Sequence, residues 1–358
     1  MSNLSMQTPT ESPLQIPIEP ALQIPMNSSV QTVADTQPVI NPRFPVQPEM
    51  AEVEAALYHA VGSSRGSIGK MCFHLLESGG KRFRPLLVLL AGRCFGPPST
   101  GLITTAAAAE LIHMASLAHD DVIDRSENRR GKPTLNALWG NRTSVLSGDF
   151  LFAKAFSLLT DSGQFNILSL MVEAIQDMCE GEVEQALLDF NPNQTEQDYT
   201  ERTIKKTAKL IAACCQSGAI IGQAEAPLVS ALEEYGLYLG LAFQIADDIL
   251  DYTGDPDALG KPVYQDLAQG NYTLPVLYLL RNKQERQWLT QILSEGTLNP
   301  TTTEQITDVL KNSGALDYTY AKAYECRDRA KAALQTVPGS PFKEVLLNLA
   351  DLALSRKN

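Results

Sequence analysis

Two groups of three aspartates carry the chemistry in this sequence. Asp120, Asp121 and Asp124 fall within one helical turn of the stretch LAHDDVIDRSENRRGKPT (117–134), and Arg129, Arg130 and Lys132 follow a few residues later. Residues three and four apart share a helix face, so Asp120 and Asp121 both align with Asp124. Carboxylates crowded in this way repel one another, and a hard cation relieves that cost. Oxygen-only ligands favour Mg²⁺ over zinc or copper. A solvated acidic patch is the plainer reading of one such cluster. A second copy weighs against it. FQIADDILDY (243–252) repeats the spacing with Asp247, Asp248 and Asp251. Both clusters lie inside apolar helical patterns, 111–123 and 237–250, and aspartates are rarely buried without partners. The pair predicts facing walls of one cavity with metal ions between them.

The elements that must hold these walls are helices. From residue 49 onward apolar residues recur at i, i+3 and i+4, over 52–59, 71–76, 85–95, 104–124, 144–159, 166–188, 199–221, 228–251, 273–281 and 302–356. Gly or Pro marks the joins, as at Gly96-Pro97-Pro98, Gly131 to Pro133 and Asn191-Pro192. Alternating strand patterns are absent. The expectation is an all-α fold, a large antiparallel helical bundle, with residues 49–358 as a single domain. Residues 1–48 hold nine of the 21 prolines and two copies of LQIP, and read as a disordered, Pro-rich N-terminal tail.

With 358 residues and 44% hydrophobic content, the chain can bury a large core. A net charge of −12 argues against a nucleic-acid partner, which would want a basic face. The six cysteines show no CxxC pair and no metal-finger spacing, so they read as small apolar residues in a reducing cytoplasm. No apolar run is expected to approach the roughly 20 residues a membrane helix needs. Neither a secretory signal nor a transit peptide is expected at the N-terminus, where Arg43 is the first basic residue.

Further groups suit phosphates. GGKRFRP (79–85) places Lys81, Arg82 and Arg84 between a flexible glycine pair and an apolar helix, an arrangement that favours an anion through charge and helix N-terminal amides. Arg129 with Arg130, Lys206 and Lys261 are additional candidates, and no GxxxxGK[ST] loop is present. Together with six aspartates they point to a substrate carrying two or more phosphates. His113 lies two helical turns before Asp120, where a packed core histidine is the plainer alternative. Ala115 and Ser116, just beneath Asp120, are small enough to leave a channel running into apolar surroundings, although simple helix packing uses small residues too.

These motifs resemble the trans-isoprenyl diphosphate synthases, or polyprenyl synthetases, from about residue 51 to the end. The similarity rests on GGKRFRP (79–85), LIHMASLAHDDVIDRSENRRGKPT (111–134), GDF (148–150), Lys206-Thr207, FQIADDILD (243–251), LGKP (259–262) and TLP (273–275). The resemblance implies an isoprenoid synthase fold, all-α around a central active-site cavity, and usually a homodimer. Asp120, Asp121, Asp124, Asp247, Asp248 and Asp251 would hold Mg²⁺, up to three ions, on an allylic prenyl diphosphate gripped by Arg129, Lys206 and Lys261. Lys81, Arg84, His113 and Arg130 would bind isopentenyl diphosphate, while Phe243 and Gln244 border the reacting carbons. The implied reaction is ionisation of the allylic carbon, condensation and proton loss, with a peripheral membrane contact for product release. Ala115 and Ser116, where farnesyl-forming members carry bulky aromatics, imply a product longer than geranylgeranyl, with geranylgeranyl diphosphate as the alternative. One departure stands out: Asn271 replaces the lysine common before TLP.

Two other enzyme classes fit less well. His119-Asp120 is similar to the core of HD phosphohydrolases, but that leaves the second aspartate cluster and GGKRFRP unexplained. A ferritin-like di-metal oxidase would want Glu and Glu-x-x-His ligands. An inactive subunit of a heteromeric synthase would typically lose aspartates, and all six remain.

Overall fold

The computed structural model describes residues 43–62, 66–254, 263–294 and 299–355. The proline-rich tail therefore lies outside the described residues up to residue 42. Its expected last part is helical instead. Phe44–Val46 form a 3₁₀ turn and α1, Gln47–Gly62, follows directly. Pro45 and Pro48 do not oppose this, because a fixed φ and a missing N–H are harmless in a first turn.

The helices expected from periodicity are present with ends displaced by a few residues, except that the expected 199–221 helix is divided in two and Leu135–Trp139 is an addition. They are α2 (Ser67–Glu77), α3 (Phe83–Arg93), α4 (Thr100–Ile123), α5 (Leu135–Trp139), α6 (Asn141–Asp161), α7 (Phe165–Leu188), α8 (Glu196–Thr203), α9 (Lys209–Ile221) and α10 (Ala226–Thr253). Shorter helices follow, and Ala315–Ala333 and Pro341–Leu354 end the fold. Side-chain caps start several of them: Ser99 accepts from the Leu102 amide, and Thr195 with Asp198 closes a capping box at α8.

The α4 helix packs along α6 and α3, α9 lies between α3 and α10, and Ala315–Ala333 runs beside α10. By length and composition α4 could cross a bilayer, which corrects the expectation that no stretch reaches that size. Its neighbours bury it instead, and Ala106, Ala107, Ala108, Ala109, Leu111 and Ile112 are all fully enclosed. One apolar cluster joins α1 to α10 with the last helix; a second gathers around Ile245, Leu267, Leu279, Leu289 and Ala323.

Two irregularities matter for the site. A short antiparallel hairpin pairs β1 (Asn128–Arg129) with β2 (Lys132–Pro133), where periodicity showed no strand. Its turn residues Arg130 and Gly131 both have positive φ, 55° and 74°, as a tight two-residue hairpin requires. The second is a π-helical turn, Ile204–Ala208, inserted between α8 and α9.

Candidate active site

The six aspartates divide into two kinds. Asp120 and Asp247 are half-buried and Asp124 is exposed at the α4 terminus, whereas Asp121, Asp248 and Asp251 are buried. Each buried carboxylate is engaged by protein groups. Asp121 Oδ1 accepts from Arg129 Nε at 2.8 Å. Asp248 accepts from the Tyr199 hydroxyl and the Gln244 amide. Asp251 takes the backbone N–H groups of Gln265 and Asp266, each at 3.3 Å, at the start of a short helix. The spacing of 120 and 124 puts the two accessible carboxylates of α4 on one face, while 121 turns toward the hairpin.

Burial drives the Asp120 pKa up to about 7, with Glu182 and Asp124 adding to the effect and Lys206 opposing it. Asp124, though its side chain reaches solvent, is also raised by partial desolvation from the surrounding protein, again with Lys206 opposing and Glu182 adding. A carboxylate pair this reluctant to ionise alone favours a neutralising cation. Among the described residues no three His, Cys, Asp or Glu side chains already converge on one point. The carboxylate oxygens themselves suit a hard cation such as Mg²⁺, which commonly takes one or two carboxylates and completes its shell with water and substrate phosphate.

The basic side of the site is built by GGKRFRP and the hairpin. Gly79 adopts φ +79°, and its carbonyl accepts a hydrogen bond from the Arg130 guanidinium. A Cβ on Gly80 would stand 2.8 Å from that guanidinium, so the second glycine admits the arginine. Arg82, in the left-handed region at φ 49°, turns inward to Glu54 and to Glu110 of α4 at 3.1 Å. It is a brace between α1, α3 and α4 rather than a phosphate ligand. Arg84 and His113 are placed differently. Both lie deep in the protein yet keep accessible surface, the signature of a cavity wall. Arg84 Nε and His113 Nδ1 find no hydrogen-bond partner among the described residues. Burial holds the His113 pKa well below its usual value, reinforced by Arg84, Arg130, Arg129 and Arg82, so the ring is neutral. Lys81 is exposed, and its carbonyl accepts from Arg43.

The π turn links the two walls. Lys206 Nζ lies 2.7 Å from Glu182 Oε1 and 2.7 Å from Gln185 Oε1 of α7. Its neighbour Thr207 donates to Gln244 Oε1 at 3.1 Å, and Gln244 in turn donates to Asp248 Oδ1 at 2.9 Å. Phe243 stacks on Phe83 with centroids 5.8 Å apart, closing α10 against α3. Ser116 shares the Asp120 face and donates to the His113 carbonyl; Ala115 is fully buried in the core. Lys261 lies outside the described residues. Position 271 carries no cation: Asn271 Nδ2 donates to Asp266 Oδ1 at 2.9 Å. Arg202, buried on α8 and within the field of Asp248 and Asp266, supplies positive charge from the other side.

Sequence reasoning missed Tyr199, Arg202, Glu110, Glu182 and Gln185. Glu110 stands three residues before His113, a helical neighbour that could have been noticed. Nothing local marks Tyr199, whose role depends on a residue 49 positions away.

Comparisons with known proteins agree with the all-α fold. The family described as Polyprenyl synthetase matches residues 66–310. Octaprenyl diphosphate synthase of Escherichia coli (strain K12) is 38% identical over 310 residues, covering 86% of this chain and 96% of that protein. Heptaprenyl diphosphate synthase component 2 of Geobacillus stearothermophilus is 40% identical over 306 residues, 86% of this chain and 94% of its own. The crystal structure of a polyprenyl synthase from Caulobacter crescentus CB15, complexed with calcium and isoprenyl diphosphate, superimposes with a TM-score of 0.83 at 36% identity, covering 88% of this chain and 97% of that one. An all-α bundle with two aspartate walls, an arginine-lined recess and this likeness along most of its length, the chain belongs to the polyprenyl synthetase family and is a prenyltransferase.

Proposed function

We propose that this protein builds a long all-trans polyprenyl diphosphate by repeated head-to-tail addition of isopentenyl diphosphate to an allylic diphosphate. The observation that carries the reading is the pair of unpartnered deep atoms, Arg84 Nε and His113 Nδ1, set among arginines beside Asp120. Leaving such groups unsatisfied is costly unless an anion completes them.

Arg84, Arg130, Lys81 and neutral His113 would bind the diphosphate of isopentenyl diphosphate. Asp120, Asp124 and Asp247 would hold Mg²⁺, up to three ions, while Asp121, Asp248 and Asp251 fix the walls that carry them. When bound, the cations supply charge neutralisation to the departing diphosphate of the allylic substrate. Lys206 and Arg129 would add to that stabilisation, and Lys261 is retained as a further grip on the same group. Phe243, stacked against Phe83, would offer an apolar surface that keeps water from the reacting carbons. Holding both substrates in register supplies much of the acceleration, and no protein nucleophile is needed.

A product beyond geranylgeranyl is supported by the small Ala115 and Ser116 and by the octaprenyl and heptaprenyl synthases among the relatives. Retention of all six aspartates favours an active chain over an inactive partner of a heteromeric synthase, although one relative is named a component. Exposed Val145 and Leu146 on α6, with Val183 and Leu187 on α7, support a homodimer, and the net charge of −12 argues against a nucleic-acid partner. Six free cysteines support a cytoplasmic setting. The test is incubation of purified protein with Mg²⁺, isopentenyl diphosphate and a farnesyl or geranylgeranyl diphosphate primer, with sizing of the products. Prenyl chains longer than geranylgeranyl are expected, and no elongation from either primer overturns the reading.

A further inference from the structure

Lys206 has two sets of carboxylates within its field, and the fold commits it to one of them. Its ammonium rests 2.7 Å from Glu182 and 2.7 Å from Gln185, both on α7. The stem of the side chain crosses α7 at Gly181, where a Cβ would stand 2.8 Å from Lys206 Cγ. On the other side are Asp120 and Asp124, each of which feels the positive charge of Lys206 and the negative charge of Glu182. A lysine is a compact charge on a flexible four-carbon stem and will follow the nearest anions. Placed on Asp120 and Asp124, its ammonium would occupy the position of a divalent cation. The π turn sets where that stem leaves the helix, as such turns often do at functional sites.

We propose that Gly181, Glu182 and Gln185 act as a leash that holds Lys206 against α7 and off the Asp120–Asp124 pair, so that metal ions enter without displacing an internal cation. The proposal rests on the reading of that pair as the metal-holding carboxylates. Glu182 and Gln185 are then positioning residues, acting through Lys206. A metal-bound diphosphate would offer Lys206 acceptors in place of those on α7.

The leash is tested by measuring Mn²⁺ binding to the full chain with inorganic diphosphate, using the electron paramagnetic resonance signal of free Mn²⁺. The variants are Glu182→Gln, which weakens the hold, and Gly181→Ala, which displaces the lysine stem without changing charge. Both are expected to weaken Mn²⁺ binding about three- to fivefold, the worth of one partly exposed ion pair. Turnover at saturating Mg²⁺ should stay within about twofold of the parent, while the Mg²⁺ concentration for half activity rises by the same factor as the binding constant. Added to Lys206→Met, neither substitution should change Mn²⁺ binding further, since there is no lysine left to compete. Unaltered binding in Glu182→Gln overturns the leash, whether or not Gly181→Ala folds. So does a shift of the same size in the Lys206→Met background, which would assign it to the charge of Glu182 itself. Mn²⁺ binding that survives Asp120→Asn with Asp124→Asn would instead overturn the metal reading beneath it.

Discussion

The Tyr199 hydroxyl donates to Asp248 Oδ2 across 2.5 Å, joining α8 to α10 inside the protein. The other oxygen of that carboxylate is taken by Gln244, whose own carbonyl oxygen accepts from Thr207 next to Lys206. Four side chains therefore run unbroken from one aspartate wall to the residue that faces the other. Burial, first of all, raises the pKa of Asp248, with Asp266 and Asp247 adding, while these two hydrogen bonds hold it down.

Tyr199→Phe keeps the ring and removes the donor. Asp248 would then be buried with one oxygen unsatisfied, at a cost of about 1–3 kcal/mol. A lower urea midpoint is expected together with a reduced kcat, because the turn carrying Lys206 loses its far anchor. Unchanged stability and unchanged turnover would count against the chain of contacts having any role.

Arg82 offers a second test. It is enclosed with Glu110 and bonded to the Leu76 carbonyl. Arg82→Met leaves Glu110 buried without its cation, and breaking such a pair costs about 3–5 kcal/mol. Arg82→Met combined with Glu110→Leu removes both charges and should recover much of that loss in urea unfolding. A double variant as unstable as the single one would show that packing, not charge, dominates there.

Product length is the third. Ser116 lies one helical turn below Asp120 on the same face, and Ala115 beside it is enclosed by the core. Ser116→Phe or Ala115→Phe would place an aromatic ring beneath the reacting end, and shorter prenyl chains are expected when the products are dephosphorylated and sized. At Ala115 the ring must also push neighbours aside, with about 1–3 kcal/mol of lost stability. A product distribution identical to the parent in both variants would remove these residues from the control of length.

Much of this architecture is legible in the sequence because it is local. The 3.6-residue period announces α4, α7 and α10, and i, i+4 spacing alone pairs Asp120 with Asp124. GGKRFRP is visible as a basic helix entrance, but not that Arg82 turns inward while Arg84 stays on the cavity. That depends on a left-handed backbone at Arg82 and on two glutamates from other helices. The hairpin escaped notice because two-residue strands have no period to detect. The inequality of the six aspartates was equally hidden. Their spacing is identical, and only the neighbours from α8, the hairpin and the short helix Gln265–Ala268 reveal that Asp248, Asp121 and Asp251 are held by protein groups.

The π-helical turn at Ile204–Ala208 bears on how this enzyme tolerates insertions and deletions. Losing one residue from that turn would let α8 and α9 merge into a regular helix, rotating everything on one side by about 100°. Lys206 would leave its place opposite Asp120, and Thr207 would lose Gln244. A loop absorbs such a change by sliding; this segment has no slack to absorb it. Length variation in homologous chains should therefore collect in the connections between helices and spare these five positions, whatever side chains they carry.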